Sequence, residues 1–212
     1  TISMTSAEII ALFELYVDDT TELSTAEELA LLNRVYQAVL DDRAWEFLKK
    51  EASGAMATTT TITAPSDFAH FLENRSYTDN SEVPDYNSTP TGILVNGTKW
   101  LKVIDWSTRR QYANQDGYAY YDARLGTITT TYAQPNSATY SFDYKMVAPD
   151  LLIGTSPVFP SRFHPMLAYA MAVDDMIIQI FDKARSYAGE NNAKYRNQLA
   201  QMAVWNANLQ QM

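Results

Sequence analysis

The chain has 212 residues, 46% of them hydrophobic and 19% charged, with no cysteine, two histidines and a formal charge of −9. That length suits one large domain, or a domain with a sizeable insertion, and can bury about 70% of its unfolded surface without staples. Disulfides, thiolate chemistry, cysteine zinc sites and histidine-rich metal clusters are excluded, and the acidic balance argues against a protein that grips phosphates.

Thr1–Glu8 has neither the basic region nor the apolar run of a secretory signal. No stretch approaches the ~20 apolar residues that span a bilayer. Ser6 to Val17 reads as a first helix, with Ser6 as N-cap and Ile9, Ile10, Leu12, Phe13, Tyr16 and Val17 as its apolar stripe. Asp18 to Leu23 is an acidic, Thr-rich break. Ser24 and Glu27 have capping-box spacing, so each satisfies a backbone N–H at the start of a second helix. Leu29, Leu32, Val35, Tyr36, Val39 and Leu40 follow at helical period. Asp41-Asp42-Arg43 reads as the helix end, with a subunit contact as the alternative, and Trp45, Phe47 and Leu48 add an apolar turn. Two helices this close in sequence, each apolar on one side, are expected to pack antiparallel.

After Gly54 the texture changes. Met56 to Thr63 is Thr-rich and β-branched and reads as a strand. Ala64-Pro65-Ser66-Asp67 is a turn, with Ser66 or Asp67 expected to cap a short helix through Leu72. Asn74 to Gly92 is polar, interrupted by proline and without periodicity. Asn74, Asn87 and Asn96 open glycosylation-type triplets, read as incidental in an Asn/Thr-rich chain. Ile93–Val95, Asn96-Gly97 and Lys99–Ile104 form a hairpin signal, because Asn-Gly accepts the positive φ of a type I′ turn. Tyr118–Asp122, Gly126–Tyr132 and Ala138–Tyr144 read as further strands of an antiparallel sheet with tyrosines on at least one face. Pro149 and Pro157 close the β region.

The organising stretch is Val158 to Ala188. Phe163, Met166, Leu167, Ala170, Val173, Ile177, Ile180, Phe181, Ala184 and Ala188 recur every three or four residues, which predicts one helix of about five turns. Pro165 fits its first turn. Gly189-Glu190-Asn191-Asn192 is a stop or kink, and Ala193–Leu209 resumes as a helix with Tyr195, Leu199, Met202 and Leu209 on one stripe and Trp205 beside it. The expected fold class is α+β: a helical bundle formed by the N- and C-terminal helices, with an inserted antiparallel β-sheet subdomain. The expected segments are 1–54, 55–157 and 158–212.

No catalytic constellation accompanies this layout. His164 has no Ser/His/Asp order or His-x-x-x-His spacing around it and reads as a cap or a core hydrogen-bonding residue. His70 reads as a surface or packing residue. Asp174-Asp175 point about 100° apart on a helix and read as a solvated or salt-bridged edge rather than an acid–base pair. Asp79, Glu82 and Asp85 lack the ligand spacing and the central Gly of a calcium loop. No phosphate-binding Gly pattern occurs among the seven glycines. No cofactor or metal is expected. The aromatics Trp100, Trp106, Tyr112, Tyr118, Tyr120, Tyr121, Tyr132, Tyr140 and Tyr144 suit sheet packing or a protein interface. Sugar or base stacking is the other use for them.

Several local patterns, in order, carry a likeness. They are Leu31-Leu32-Asn33-Arg34 running to Trp45-Glu46-Phe47-Leu48; the Thr-rich strand into Ala64-Pro65-Ser66-Asp67-Phe68; a Gly-x-Ile strand, Gln134-Pro135, Tyr140-Ser-Phe-Asp-Tyr144 and Pro149-Asp150-Leu151; and Phe159-Pro160-x-x-Phe163-His164 opening a long helix. In this order the chain resembles the head-to-tail adaptor proteins of tailed bacteriophages, including the tail-tubular-A type. The resemblance implies a non-enzymatic structural protein of the virion neck, assembled in the host cytoplasm as a homo-oligomeric, dodecameric ring under the portal protein. DNA would pass through its lumen without specific binding, and no membrane is involved. It implies portal docking by the C-terminal helix, through Tyr195, Leu199, Met202, Trp205, Leu209 and Met212. It implies loops facing the downstream tail or nozzle protein, at Tyr77, Tyr86, Asn96, Gly97, Asp116, Gly117 and Asn136. The alternative reading is a carbohydrate-binding or receptor-binding module that uses the aromatic-rich insertion.

Overall fold

The computed structural model describes residues 3–18, 22–72 and 92–209. The chain divides into two compact units, Thr1–Phe47 with Ala148–Met212, and Leu48–Val147. The fold class is mixed α+β, with five α-helices in the first unit and an eight-stranded sheet in the second among the described residues.

In the helical unit, α1 is Ser6–Val17 and α2 is Thr25–Asp41. The capping box of Ser24 and Glu27 forms as its spacing predicts. The cap of α1 is Thr5, not Ser6: Thr5 and Glu8 make a second capping box. Ser6 is fully buried instead, its hydroxyl donating to the Leu152 carbonyl at 2.7 Å and accepting from the Gly154 N–H at 2.9 Å. On α2 the buried face is Leu31, Leu32, Tyr36, Val39 and Leu40, while Leu29 and Val35 are half-buried.

The single helix expected over Val158–Ala188 is three. A 3₁₀ turn, Ser161–Phe163, leads into α3 (Pro165–Ala172), then α4 (Asp175–Ile180) and α5 (Asp182–Leu209). The first break occurs because Asp174 leaves the helix (φ −62°, ψ 138°) and its carboxylate accepts the Met176 N–H, which makes it the cap of a new helix. The second is at Phe181, whose extended backbone (φ −106°, ψ 120°) accompanies a buried ring. No stop occurs at Gly189: α5 runs through it, and the Glu190–Lys194 pair at 2.6 Å spans the next turn. A helical Gly costs roughly 1 kcal/mol, which packing on a neighbouring helix offsets. α3 is buried nearly all round, through Met166, Leu167, Ala168, Ala170, Met171 and Ala172, and touches each of the other four helices. A helix apolar on every side belongs inside a core. α1 and α2 do touch, but each makes its larger contact with α3.

The sheet unit holds β1 (Lys49–Ala55), β2 (Thr61–Thr63), β3 (Phe68–Phe71), β4 (Gly92–Val95), β5 (Lys99–Val103), β6 (Tyr118–Asp122), β7 (Thr127–Thr130) and β8 (Thr139–Met146). The strand order is β1-β8-β4-β5-β6-β7-β2, with β3 also on β8. Three expectations change here. The first strand is Lys49–Ala55, within the stretch expected to be helical, and of Met56–Thr63 only Thr61–Thr63 pairs. The expected helix after Asp67 is β3, because the Asp67 carboxylate accepts from Lys50 Nζ (2.7 Å) and the Tyr144 hydroxyl (2.8 Å) rather than from a helix start. The sheet is not wholly antiparallel, since β5 and β6 run parallel across a connection that carries the 3₁₀ turn Trp106–Thr108. The end strands β1 and β2 are joined by residues 56–60 alone, which brings the two ends of the strand order toward each other. Ile62, Phe68, Phe71, Ile93, Val95, Leu101, Ala119, Ile128, Phe142, Tyr144 and Met146 fill the interior.

The Asn96-Gly97 turn forms as read: both residues have positive φ, 51° and 67°, and Val95 pairs with Lys99 across it.

Candidate interaction surfaces

The structure brings five of the loop positions singled out by sequence onto one rim of the sheet unit. Lys99, the first residue of β5, reaches across with Nζ 2.5 and 2.6 Å from the two Asp116 carboxylate oxygens and 3.1 Å from Gln134 Oε1. Asp116 also accepts the Gly117 N–H at 2.8 Å. Asn96 Oδ1 accepts the Thr139 N–H at 2.9 Å, which fastens the hairpin tip to the start of β8. Gln134 precedes the turn Pro135–Ala138, where Asn136 is exposed. Asn96, Gly97, Asp116, Gly117 and Asn136 therefore sit on loops tied together through Lys99, Gln134 and Thr139. Burial pushes the Asp116 carboxyl up, but the hydrogen bonds and charge of Lys99, with Gln134 and the Gly117 N–H, outweigh it and hold the group below the usual carboxylate range. The ion pair is about half exposed, so it orders the loops more than it stabilises the fold. Tyr77 and Tyr86 lie outside the described residues.

The C-terminal helix is more committed to its own unit than sequence suggests. Met202 is fully buried and offers no surface in this conformation. Trp205 is half-buried, its ring 6.1 Å from those of both Phe47 and Phe163. Asn206, which sequence reasoning missed, is 4% exposed; its Oδ1 accepts the Glu46 N–H at 2.7 Å and its Nδ2 donates to the Ala44 carbonyl at 3.3 Å. Tyr195 and Leu199 are half-buried, and Leu209 is exposed. Val204, also missed, is the more exposed apolar residue at this end. Met212 lies outside the described residues.

A third cluster surrounds Trp106. The Arg109 guanidinium lies 3.3 Å from the ring centroid and that of Arg124 lies 4.8 Å away. Asp122 fixes the group: its carboxylate accepts from Trp106 Nε1 at 3.2 Å and from Arg124 Nε and Nη2 at 3.2 and 3.0 Å. The Arg124 hydrogen bonds hold the Asp122 carboxyl well below its ordinary range. With Arg109 stacked this closely on its ring, Trp106 has little free face for a sugar or a base. The other aromatics of the unit also pack on one another, as in Phe68 against Tyr121 (4.7 Å) and Tyr112 against Tyr118 (4.4 Å). The sequence signal for this cluster was Trp106-x-x-Arg109-Arg110 in an acidic chain; Arg124 is joined to it only by the fold.

The remaining candidates resolve into structural parts. His164 is 1% exposed, its ring nitrogens 2.9 and 2.8 Å from the Met4 and Phe159 carbonyl oxygens. His70 is exposed on β3. Asp174 caps α4 and pairs with Arg34 at 2.7 Å. Among the described residues no group of three His, Asp or Glu side chains could hold a metal ion, and no helix is long and apolar enough to cross a membrane.

One family model, described as SU10 adaptor protein, matches residues 4–211. No curated protein matches the chain.

Proposed function

The chain belongs to the SU10 adaptor protein family, a family of structural phage adaptors, and on that premise we propose that it forms the homo-oligomeric ring, a dodecamer, that couples portal to tail in the virion neck. The family match over nearly the whole chain carries this reading, since it includes both the helices and the sheet unit. In this proposal the unit that holds the terminal helices (1–47 and 148–212) acts as one bundle and meets the portal. The sheet unit (48–147) meets the downstream tail protein. Tyr195, Leu199, Trp205, Leu209 and Met212 are the portal-facing set, with Met202 holding the helix from behind. The rim around Asn96, Asp116 and Asn136 faces the tail, together with Tyr77 and Tyr86. The formal charge of −9 suits a passage that DNA traverses without adhering. An interface of roughly 2,000 Å² per neighbour is typical of permanent assemblies, and closing a ring makes each contact hard to undo.

The test is direct. Purified chain is mixed with portal particles and the complex is imaged by electron microscopy. A ring of added density on the portal is the expected result; portal particles that stay bare at saturating chain would refute the proposal.

A further inference from the structure

The acidity of this chain is not evenly spread. Residues 1–47 carry ten Asp or Glu and two Arg, a net −8, whereas residues 48–147 carry ten Asp or Glu against nine Lys or Arg, a net −1. The helix ends sharpen the contrast. A helix C-terminus favours cations, yet α2 ends on Asp41 and Asp42 with no basic residue in its last turn. Both are exposed, and among the described residues only Asp42 is in an ion pair, with Arg43 at 2.7 Å.

The sheet unit presents the complement. Arg109 is stacked on Trp106, and its Nη1 donates to the Trp106 carbonyl at 2.6 Å, which leaves a held guanidinium with donors to spare. Arg110 is exposed beside it, and no ion pair or side-chain hydrogen bond involves it among the described residues. Arg124 adds a third guanidinium, compensated by Asp122, and the next residue on that turn, Leu125, is 72% exposed. Asp105 is the acidic group adjacent in sequence. Trp and Arg held in place are the residue types in which the energetic centres of protein interfaces are enriched. A site for nucleic acid would carry a basic stripe and free aromatic faces.

We infer that the Trp106–Arg109–Arg110–Arg124 cluster of one copy docks the Asp41–Asp42 end of α2 on a second copy. This rests on the homo-oligomer of the proposed function and names the charge pairing that would join its copies. Two different surfaces, one basic and one acidic, make a heterologous contact, the kind that closes into a ring. Opposed charges also fix register and discourage wrong pairings.

The experiment measures self-association of the purified chain by sedimentation velocity over a concentration series, at low and high salt. Wild type associates more weakly as salt rises. Arg110→Glu, which removes no ion pair or side-chain hydrogen bond among the described residues, weakens association about tenfold or more. Asp41→Lys/Asp42→Lys does the same, although cations there suit the α2 terminus. Mixing Arg109→Glu/Arg110→Glu chains with Asp41→Lys/Asp42→Lys chains restores it, because each contact is again between opposite charges. Circular dichroism of each variant confirms that it is folded. The inference is overturned if wild type stays monomeric at every concentration, if either exchange leaves association unchanged, or if the mixture is not restored. It is also overturned if Arg110→Glu abolishes binding of a duplex oligonucleotide in fluorescence anisotropy while self-association persists. Portal binding is read separately, so an unchanged portal complex beside altered self-association speaks to this contact alone.

Discussion

Replacing Asn206 with Ala tests how firmly the C-terminal helix is fastened. The side chain is 4% exposed and joins α5 to the 44–46 turn by two hydrogen bonds, of 2.7 Å to the Glu46 N–H and 3.3 Å to the Ala44 carbonyl. Truncation takes this acceptor from a part-buried N–H, a loss of roughly 1–3 kcal/mol. The longer bond ends on an exposed residue whose carbonyl finds water, so it adds little. The expected loss is about 2 kcal/mol, or a fall in Tm of about 4–8 °C for a chain of this size. Urea unfolding followed by circular dichroism at 222 nm measures it. Asn206→Asp is the informative partner: it keeps the acceptor for Glu46 but turns a carboxylate oxygen toward the Ala44 carbonyl. It should be the worse variant at pH 7 and recover as the pH falls toward the carboxyl range near ~4. A loss below about 0.5 kcal/mol in Asn206→Ala, with an unchanged urea slope, would refute the idea that this residue fastens the helix.

Three further outcomes are expected in the sheet unit. Gly97→Ala places a Cβ in open space but at φ +67°, so the cost is conformational, about 1 kcal/mol, readable in the same urea experiment. Asp67 is held below the usual carboxylate range, first by the Lys50 hydrogen bond and also by the Tyr144 hydroxyl, with burial opposing. Its stabilisation is complete above the unfolded carboxyl value near ~4 and is lost as pH falls through the lower folded value. Asp67→Asn should therefore flatten the acid limb of the stability profile and leave its shape near neutrality unchanged. Tyr144, pushed up to about 12 by burial and by Asp67, has the opposite sign: its contribution is present below ~10 and fades as pH rises through about 12. In Asp67→Asn its ionisation should move down in an absorbance titration at 295 nm.

What sequence made legible was local. The Ser24/Glu27 box and the Asn96-Gly97 turn depend on neighbours a few residues away, and both formed as read. The strands from β4 to β8 followed from alternation and turn residues. The helix expected through Leu72 rested on Ser66 or Asp67 as a cap, but Asp67 is engaged by Lys50 and Tyr144, and in β3 a register shift on β8 lets the rings of Phe68 and Phe71 both turn inward. The break at Asp174 was hidden because an Asp on the polar side of a helix and an Asp that caps the next helix look alike in one dimension. The parallel pairing of β5 with β6, and the meeting of Arg109 with Arg124 at Trp106, depend on residues brought together only by folding.

The energetics also constrain how the C-terminal helix would meet the partner proposed for it. Two routes exist: α5 stays seated and offers its outer residues, or it lifts away and offers Met202 and Trp205. Lifting re-exposes a fully buried Met and a half-buried Trp at roughly 1.5–3 kcal/mol each. It also breaks the Asn206 bonds, for about 2 kcal/mol more. The total, about 5–8 kcal/mol, corresponds to a lifted population lower by about four to six powers of ten. A partner would have to recover all of that through differential contacts before gaining any net affinity. Leaving the helix seated carries no such cost, and Val204 and Leu209 are already exposed. The same reasoning applies to the sheet rim, where Lys99 holds the loops before any partner arrives, so less ordering entropy is lost on docking. Docking through surfaces already in place is therefore the less costly route for each unit.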